Sequence, residues 1–275
     1  MNRLPIERRV QVVNALIEGN SVRSTVRLTG VAKGTILKLL AEVGTACAKY
    51  QHETLRNLTC RRVQCDEIWS FCGAKQKNIP DGRQGEAGIG DVWVWVAIDA
   101  DTKLVPSWLV GGRDGAFATA FIKDLAARLA HRVQLTTDGH RPYLDAVEAG
   151  FGGEVDYAML VKLYGSAGDH PDTRYSPAEC QGCRKTGVVG SPDPAHVSTS
   201  YVERQNLTMR MRMRRFARLT NAFSKKVENH EHAVALHYMV YNFVRRHQLL
   251  RVTPAMAAGV DRKLWTVEDI VRLAG

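Results

Sequence analysis

Apolar positions in the first fifty residues recur with the period of a helix. Ile6, Val10, Val13 and Ile17 share one helical face, and Gly19 stands where that helix would stop. Ser21 suits the N-cap of a short second helix reaching Leu28, and Thr29-Gly30 makes a turn. A third helix is expected over about 31–43, with Ile36, Leu39 and Leu40 inward and Lys33, Thr35 and Lys38 outward. Two short helices joined by a tight glycine turn predict a helix-turn-helix unit over 1–58, its recognition helix lying in the major groove of DNA.

Past residue 60 the pattern changes to that of strands. Residues 62–71 read as a first strand, and VWVWVAIDA (92–100), apolar on both faces, as a central strand covered on both sides. Further strands are expected over 104–110, 133–137 and 155–163, with helices over 114–130 and from Pro142. Strands followed by alternating helix and strand predict an α/β mixed sheet covered by helices. Stretches rich in Pro, Gly and Ser at 73–90 and 165–200 read as long loops. Residues 199–223 have helical periodicity. Val202, Met209, Met213 and Phe216 form one face, and Glu203, Asn206, Arg210 and Arg214 another. A further amphipathic helix is expected over 228–247, where His230, His232 and His237 read as surface or hydrogen-bonded residues. The catalytic unit is set at 59–260, with an insertion at about 165–197, and 261–275 as a tail helix.

Composition narrows the class. The chain has 275 residues, 45% hydrophobic and 24% charged, enough to bury a core without disulfides or metal. Its net charge of +10 favours anionic partners, nucleic acid before membrane. The longest apolar run, 92–98, is far short of a bilayer span, and the first nine residues carry no apolar leader core. Six cysteines in such a chain predict reduced thiols in a cytosol and a cytoplasmic, nucleoid-associated protein. The charge is segregated. Residues 1–62 hold eleven Lys/Arg against four Glu, and residues 203–226 hold eight against Glu203 alone. Two basic segments therefore flank a slightly acidic middle.

In that middle, Asp66 lies inside a strand and Asp138 at the end of another, and burying an unpaired carboxylate costs several kcal/mol. A divalent cation with hard oxygen ligands would account for both, turn-forming or salt-bridged aspartates being the plainer alternative. A pair of such ions can activate an attacking hydroxyl and stabilise a leaving 3′ oxygen. Asp99, Asp101 and Asp114 read as turn and cap residues, and Glu67 is expected to point away from Asp66 by strand alternation. Glu203 is a lone acid on an arginine-rich helix, placed to face metal while Arg210, Arg214 and Arg218 grip phosphates. Cys180-x-x-Cys183 is half of a zinc site, which His170 and His196 could complete; Cys60 with Cys65 is another conceivable pair, and two reduced loop thiols are the simpler alternative.

The segments QCDEIWSF (64–71), WVWVAIDADT (93–102), TTDG (136–139), the long run STSYVERQNLTMRMRMRRFARLTNAFSKKVENH (198–230) and TPAMAAG (253–259) together resemble the DDE-type transposases of bacterial insertion sequences, most closely the insertion-sequence-one group. The resemblance covers about residues 60–260. It implies an RNase H-like, integrase-type catalytic fold in which Asp66, Asp138 and Glu203 hold two Mg²⁺ or Mn²⁺ ions. It also implies cleavage at element ends, attack of the freed 3′-hydroxyls on target DNA, and homo-oligomers acting on double-stranded inverted repeats. Two departures stand out: 65 residues separate Asp138 from Glu203, longer than in compact relatives, and no cysteine pairs precede the helix-turn-helix. A nuclease that cuts without joining and a catalytically retired DNA-binding regulator are the competing readings.

Overall fold

The computed structural model describes residues 3–164, 180–217 and 221–275. It opens on three helices: α1 (Ile6–Ile17), α2 (Val22–Thr29) and α3 (Lys33–Thr54). The Ser21 hydroxyl accepts from Ser24 N and caps α2, as expected, and Gly30 closes α2 in the left-handed conformation at φ +67° that a side chain would resist. The third helix runs eleven residues past its expected end. Gly44, just past that expected end, admits a neighbour: a Cβ at this position would lie 2.5 Å from the Cβ of His232. The glycine is spent on close helix packing, not on termination.

The sheet consists of β1 (Arg62–Cys72), β2 (Gly90–Asp99), β3 (Trp108–Gly111), β4 (Val133–Thr137), β5 (Val155–Tyr164) and β6 (Cys180–Val189), in the order β3-β2-β1-β4-β5-β6. Strands β1 to β3 form an antiparallel meander, whereas β1, β4 and β5 are parallel and β6 is antiparallel to β5. Helices α4 (Gly115–Ala126) and α5 (Pro142–Phe151) are the crossovers around β4. Asp114 caps α4 by accepting from Ala116 N and Phe117 N, and Asp99 accepts from Asp101 N and Thr102 N, the cap and turn roles expected of them.

Part of the segment expected as an inserted loop is strand β6, which extends the sheet by one member. Its exposed, polar pattern hides it from a hydrophobicity reading, because an edge strand satisfies its backbone without burying side chains. The third strand is likewise shorter than expected; Lys103, at φ +62°, stands just before its predicted start and Pro106 within it.

After β6 come α6 (Ser200–Arg212), α7 (Val227–Met239), α8 (Pro254–Ala257) and α9 (Val267–Leu273). The expected helix over 199–223 breaks at Met213, whose backbone is extended, and Arg214–Phe216 forms a separate 3-10 turn. Arg214 therefore leaves the face that carries Glu203 and Asn206. Val202, Met209, Met213 and Phe216 are nonetheless all buried. Helix α7 packs on α3 and ends in a π-helical turn, Val240–Val244; α9 packs on α1. One apolar cluster runs from Val12 to Val271, so the helical N-terminus and the sheet share a core. No helix among the described residues is long and apolar enough to cross a membrane.

Candidate active site

The parallel register of β1 and β4 sets the site. Cys65 pairs with Thr137, the last residue of β4, so the next residue on each chain, Asp66 and Asp138, meets at the same sheet edge. Carboxyl ends of parallel strands are where ligands collect in α/β sheets. Asp138 Oδ1 accepts from His140 N at 3.0 Å, which turns the chain away and leaves the carboxylate forward. Asp66, Glu67 and Asp138 each offer an oxygen, all within 4.8 Å of one another.

Glu67 is the carboxylate the sequence reading set aside. Alternation holds locally, since Asp66 is bonded toward α6 while Glu67 bonds to Arg113 Nε at 3.0 Å, beside the Tyr143 hydroxyl. Because β4 ends at Thr137, no further strand separates the two faces here, and both acids reach Asp138. Arg113 joins the same group, with its Nη2 4.0 Å from Asp138 Oδ2.

Burial, followed by the charges of Asp138 and Glu67, pushes the Asp66 carboxyl up to about 7. Glu67 is raised as well, first by burial and then by Asp138, against the pull of Tyr143 and Arg113. Three acids in so small a space repel one another, and such a site gains most from a cation. Hard oxygen donors suit Mg²⁺ or Mn²⁺.

Helix α6 is docked against β1 by hydrogen bonds that sequence does not announce. Gln64 Oε1 accepts from Tyr201 N at 2.8 Å and Val202 N at 3.2 Å, capping α6 from another element. Asn206, one turn after Glu203, donates to Asp66 Oδ2 at 2.8 Å. Glu203 itself stands outside the 4.8 Å group. Its carboxylate accepts from Lys162 Nζ and from Thr199 Oγ1, each at 2.5 Å, although its charge still contributes to raising Asp66. Of the three predicted ligands the structure thus joins Asp66 and Asp138 and holds Glu203 alongside, paired with a lysine from β5.

Lys33, Thr35 and Lys38 are exposed on the first two turns of α3, with Lys38 3.8 Å from Glu42. Arg210 is half-buried on α6, Arg214 is exposed beyond its end, and Arg218 lies outside the described residues. A cleft of about 860 Å³ opens between α1–α3 and the α6–α7 segment. Arg23, Lys33, Arg212, Arg214, Arg215, Lys225, Lys226 and Arg245 line it, no acid among the described residues does, and none of the carboxylates above borders it.

Cys180 and Cys183 are exposed on β6, opposite Tyr164 and Lys162. The bulge between those pairs puts both thiols on the Lys162 side of the sheet, because cross-strand partners share a face. Neither they nor His196 belongs to a metal-competent group of three among the described residues; His196 contacts Arg62, and His170 lies outside those residues. Cys60 and Cys65 are buried and free. His230 and His237 are buried, and burial lowers both to about 3, so they are neutral core residues.

Residues 194–244 match the family model of the IS1 transposase, a stretch that contains Glu203 and all of α6. No curated protein matches the chain. The chain is also similar to a cryo-EM structure of the piggyBac transposase synaptic complex with hairpin DNA, at 10% identity and a TM-score of 0.45, over 99% of this chain and 71% of that one. The segment match supports a transposase.

Proposed function

We propose that this protein is a DDE-type DNA transposase that binds the ends of a mobile element and catalyses metal-dependent DNA cleavage and strand transfer. The observation that carries the reading is the convergence of Asp66 and Asp138 at neighbouring strand ends under α6, the helix bearing Glu203 within the transposase-matched segment. The strand order β3-β2-β1-β4-β5, antiparallel then parallel, supports an RNase H-like catalytic domain, with β6 as an addition at its edge.

Asp66 and Asp138 would hold divalent cations, with Glu203 completing the set once it exchanges its lysine partner. Bound there, the metal would activate the attacking oxygen and stabilise the leaving one. Asn206 fixes the Asp66 carboxylate and leaves its second oxygen forward. Arg113 neutralises Glu67, so that residue orients the site without adding a third full charge. Lys162 holds the Glu203 carboxylate in reserve, and the Gln64 cap fixes how far α6 stands from β1.

In this reading α3 is the recognition helix of a helix-turn-helix, with Lys33, Thr35 and Lys38 toward DNA, while Arg210, Arg214 and Arg218 contact phosphates. A homo-oligomer on paired ends follows from the need to join two ends to one target. The reaction is tested with the purified protein, Mg²⁺ or Mn²⁺ and the DNA flanking its own gene, run beside Glu203→Gln. Cleaved and joined products from the native protein, absent from the variant at equal DNA binding, are expected. Cleavage without joining would replace the transposase by a nuclease, and binding without chemistry would leave a regulator.

A further inference from the structure

Four large aromatic side chains take no part in the apolar core. Trp69 and Phe71 on β1, Trp93 on β2 and Phe223 before α7 are half-buried and absent from the core cluster, which holds Ile68, Cys72, Val92 and Val94 from the same strands. Half-exposed Trp and Phe rings that bury nothing else carry a cost in water unless something covers them.

Their arrangement is a row. Trp69 and Trp93 are cross-strand partners in the β1–β2 register, which puts them on the same face of the sheet as Glu67. The Trp69 and Phe71 rings stand 5.7 Å apart at an interplanar angle of 33°, and Phe71 and Phe223 stand 4.8 Å apart at 31°. From Glu67 to Phe71 the strand advances about 13 Å, so the row begins at the acidic cluster and leads away from it.

Cations follow the rings along the whole length. Arg113, the partner of Glu67, lies 4.5 Å over Trp93; Lys75 is 5.8 Å from both Trp69 and Phe71; Lys225 is 3.8 Å over Phe223. At its far end Phe223 is also part of the wall of the basic cleft. Lysines over ring faces are held only weakly at exposed sites, so a stronger anion can draw them off.

The geometry points to a binding track for single-stranded DNA. Unpaired bases stack on Trp69, Phe71 and Phe223, the backbone phosphates take Lys75 and Lys225, and the strand is delivered past Arg113 to the acidic cluster. Stacking rings with interleaved cations are the chemistry of sequence-tolerant single-strand binding, whereas a duplex hides its base faces and could use the cations alone. The inference rests on the transposase reading and adds that the reacting strand is unpaired over several nucleotides beside the carboxylates.

The test compares binding of a labelled oligothymidylate of about 12 nucleotides and of a duplex of equal length at one fixed salt concentration, for the native protein and for Trp69→Ala/Phe71→Ala. Thermal melting confirms the fold of the variant, which removes no core residue, and Trp69→Phe/Phe71→Tyr retains the rings as a second check. The Ala variant is expected to lose about tenfold or more in single-strand affinity while its duplex affinity changes less than about twofold, and the ring-preserving variant to bind both as the native protein does. Unchanged single-strand affinity in a folded Ala variant would overturn the track and leave the transposase reading in place. Native protein that binds neither form would overturn both.

Discussion

Substituting Asp66→Asn perturbs the cluster with the least change in shape. The asparagine oxygen can still accept from Asn206, so the contact that docks α6 on β1 survives. What disappears is a charge within 4.8 Å of the oxygens of Glu67 and Asp138. Two full charges at that separation repel by about 1–3 kcal/mol for effective dielectric constants between those of water and a protein surface. With its carboxyl pushed up to about 7, Asp66 is about half ionised at neutral pH, which reduces the relief to about 1 kcal/mol. In a chain of this size that corresponds to a rise in Tm of about 2–4 °C. Metal reverses the ranking. At a free Mg²⁺ concentration about a hundredfold above Kd, the native protein gains about 2.7 kcal/mol, whereas the variant, lacking a ligand, gains little. Differential scanning calorimetry at pH 7, with and without Mg²⁺, reads both effects. Metal-free Asp66→Asn melting below the native protein, or Mg²⁺ raising both melting temperatures equally, would refute the assignment.

Other consequences are open to measurement. In the metal-free protein Asp66 keeps its proton up to about pH 7 and must lose it to bind a cation, so Mg²⁺ affinity should rise about tenfold per pH unit below 7 and level off above it; titration calorimetry in buffers of different ionisation enthalpy should detect the released proton, and a pH-independent affinity would contradict the assignment. Lys162→Met removes the partner that holds Glu203 and should lower the Mg²⁺ concentration for half-maximal thermal stabilisation; an increase would mean that the lysine supports the site. Gly44→Ala drives a methyl group into the His232 backbone, 2.6 Å from its Cα, and should cost about 1–3 kcal/mol, seen as a lower Tm with little change in the DNA affinity of correctly folded protein; a neutral outcome would mean that α3 and α7 separate easily.

How far these features could be read in advance depends on whether their cause is local. The run 92–100, apolar on both faces, becomes β2, and the acids at 66 and 138 lie at strand positions where no packing argument wants them. The caps at Ser21 and Asp114 are local chemistry too, and both are in place. Tertiary causes were hidden. Gly44 makes room for His232, a contact that no local pattern announces, and β6 has no apolar face to betray it. Gln64 caps a helix 137 residues away, a contact without any sequence pattern. Strand alternation does send Glu67 and Asp66 to opposite sides, but Asp138 lies just past the end of β4, within reach of both. In sequence Trp69, Phe71 and Trp93 look like any other strand aromatics, and only the core boundary separates them from Trp95, which is fully buried.

Crystals grown with Mn²⁺ and examined by anomalous diffraction put the account to its most direct test. Manganese coordinated by carboxylate oxygens of both Asp66 and Asp138 is expected, with the Glu203 carboxylate turned from Lys162 toward the metal. Manganese absent from the strand ends at saturating concentration, or bound elsewhere while Asp66 and Asp138 stay bare, would contradict it.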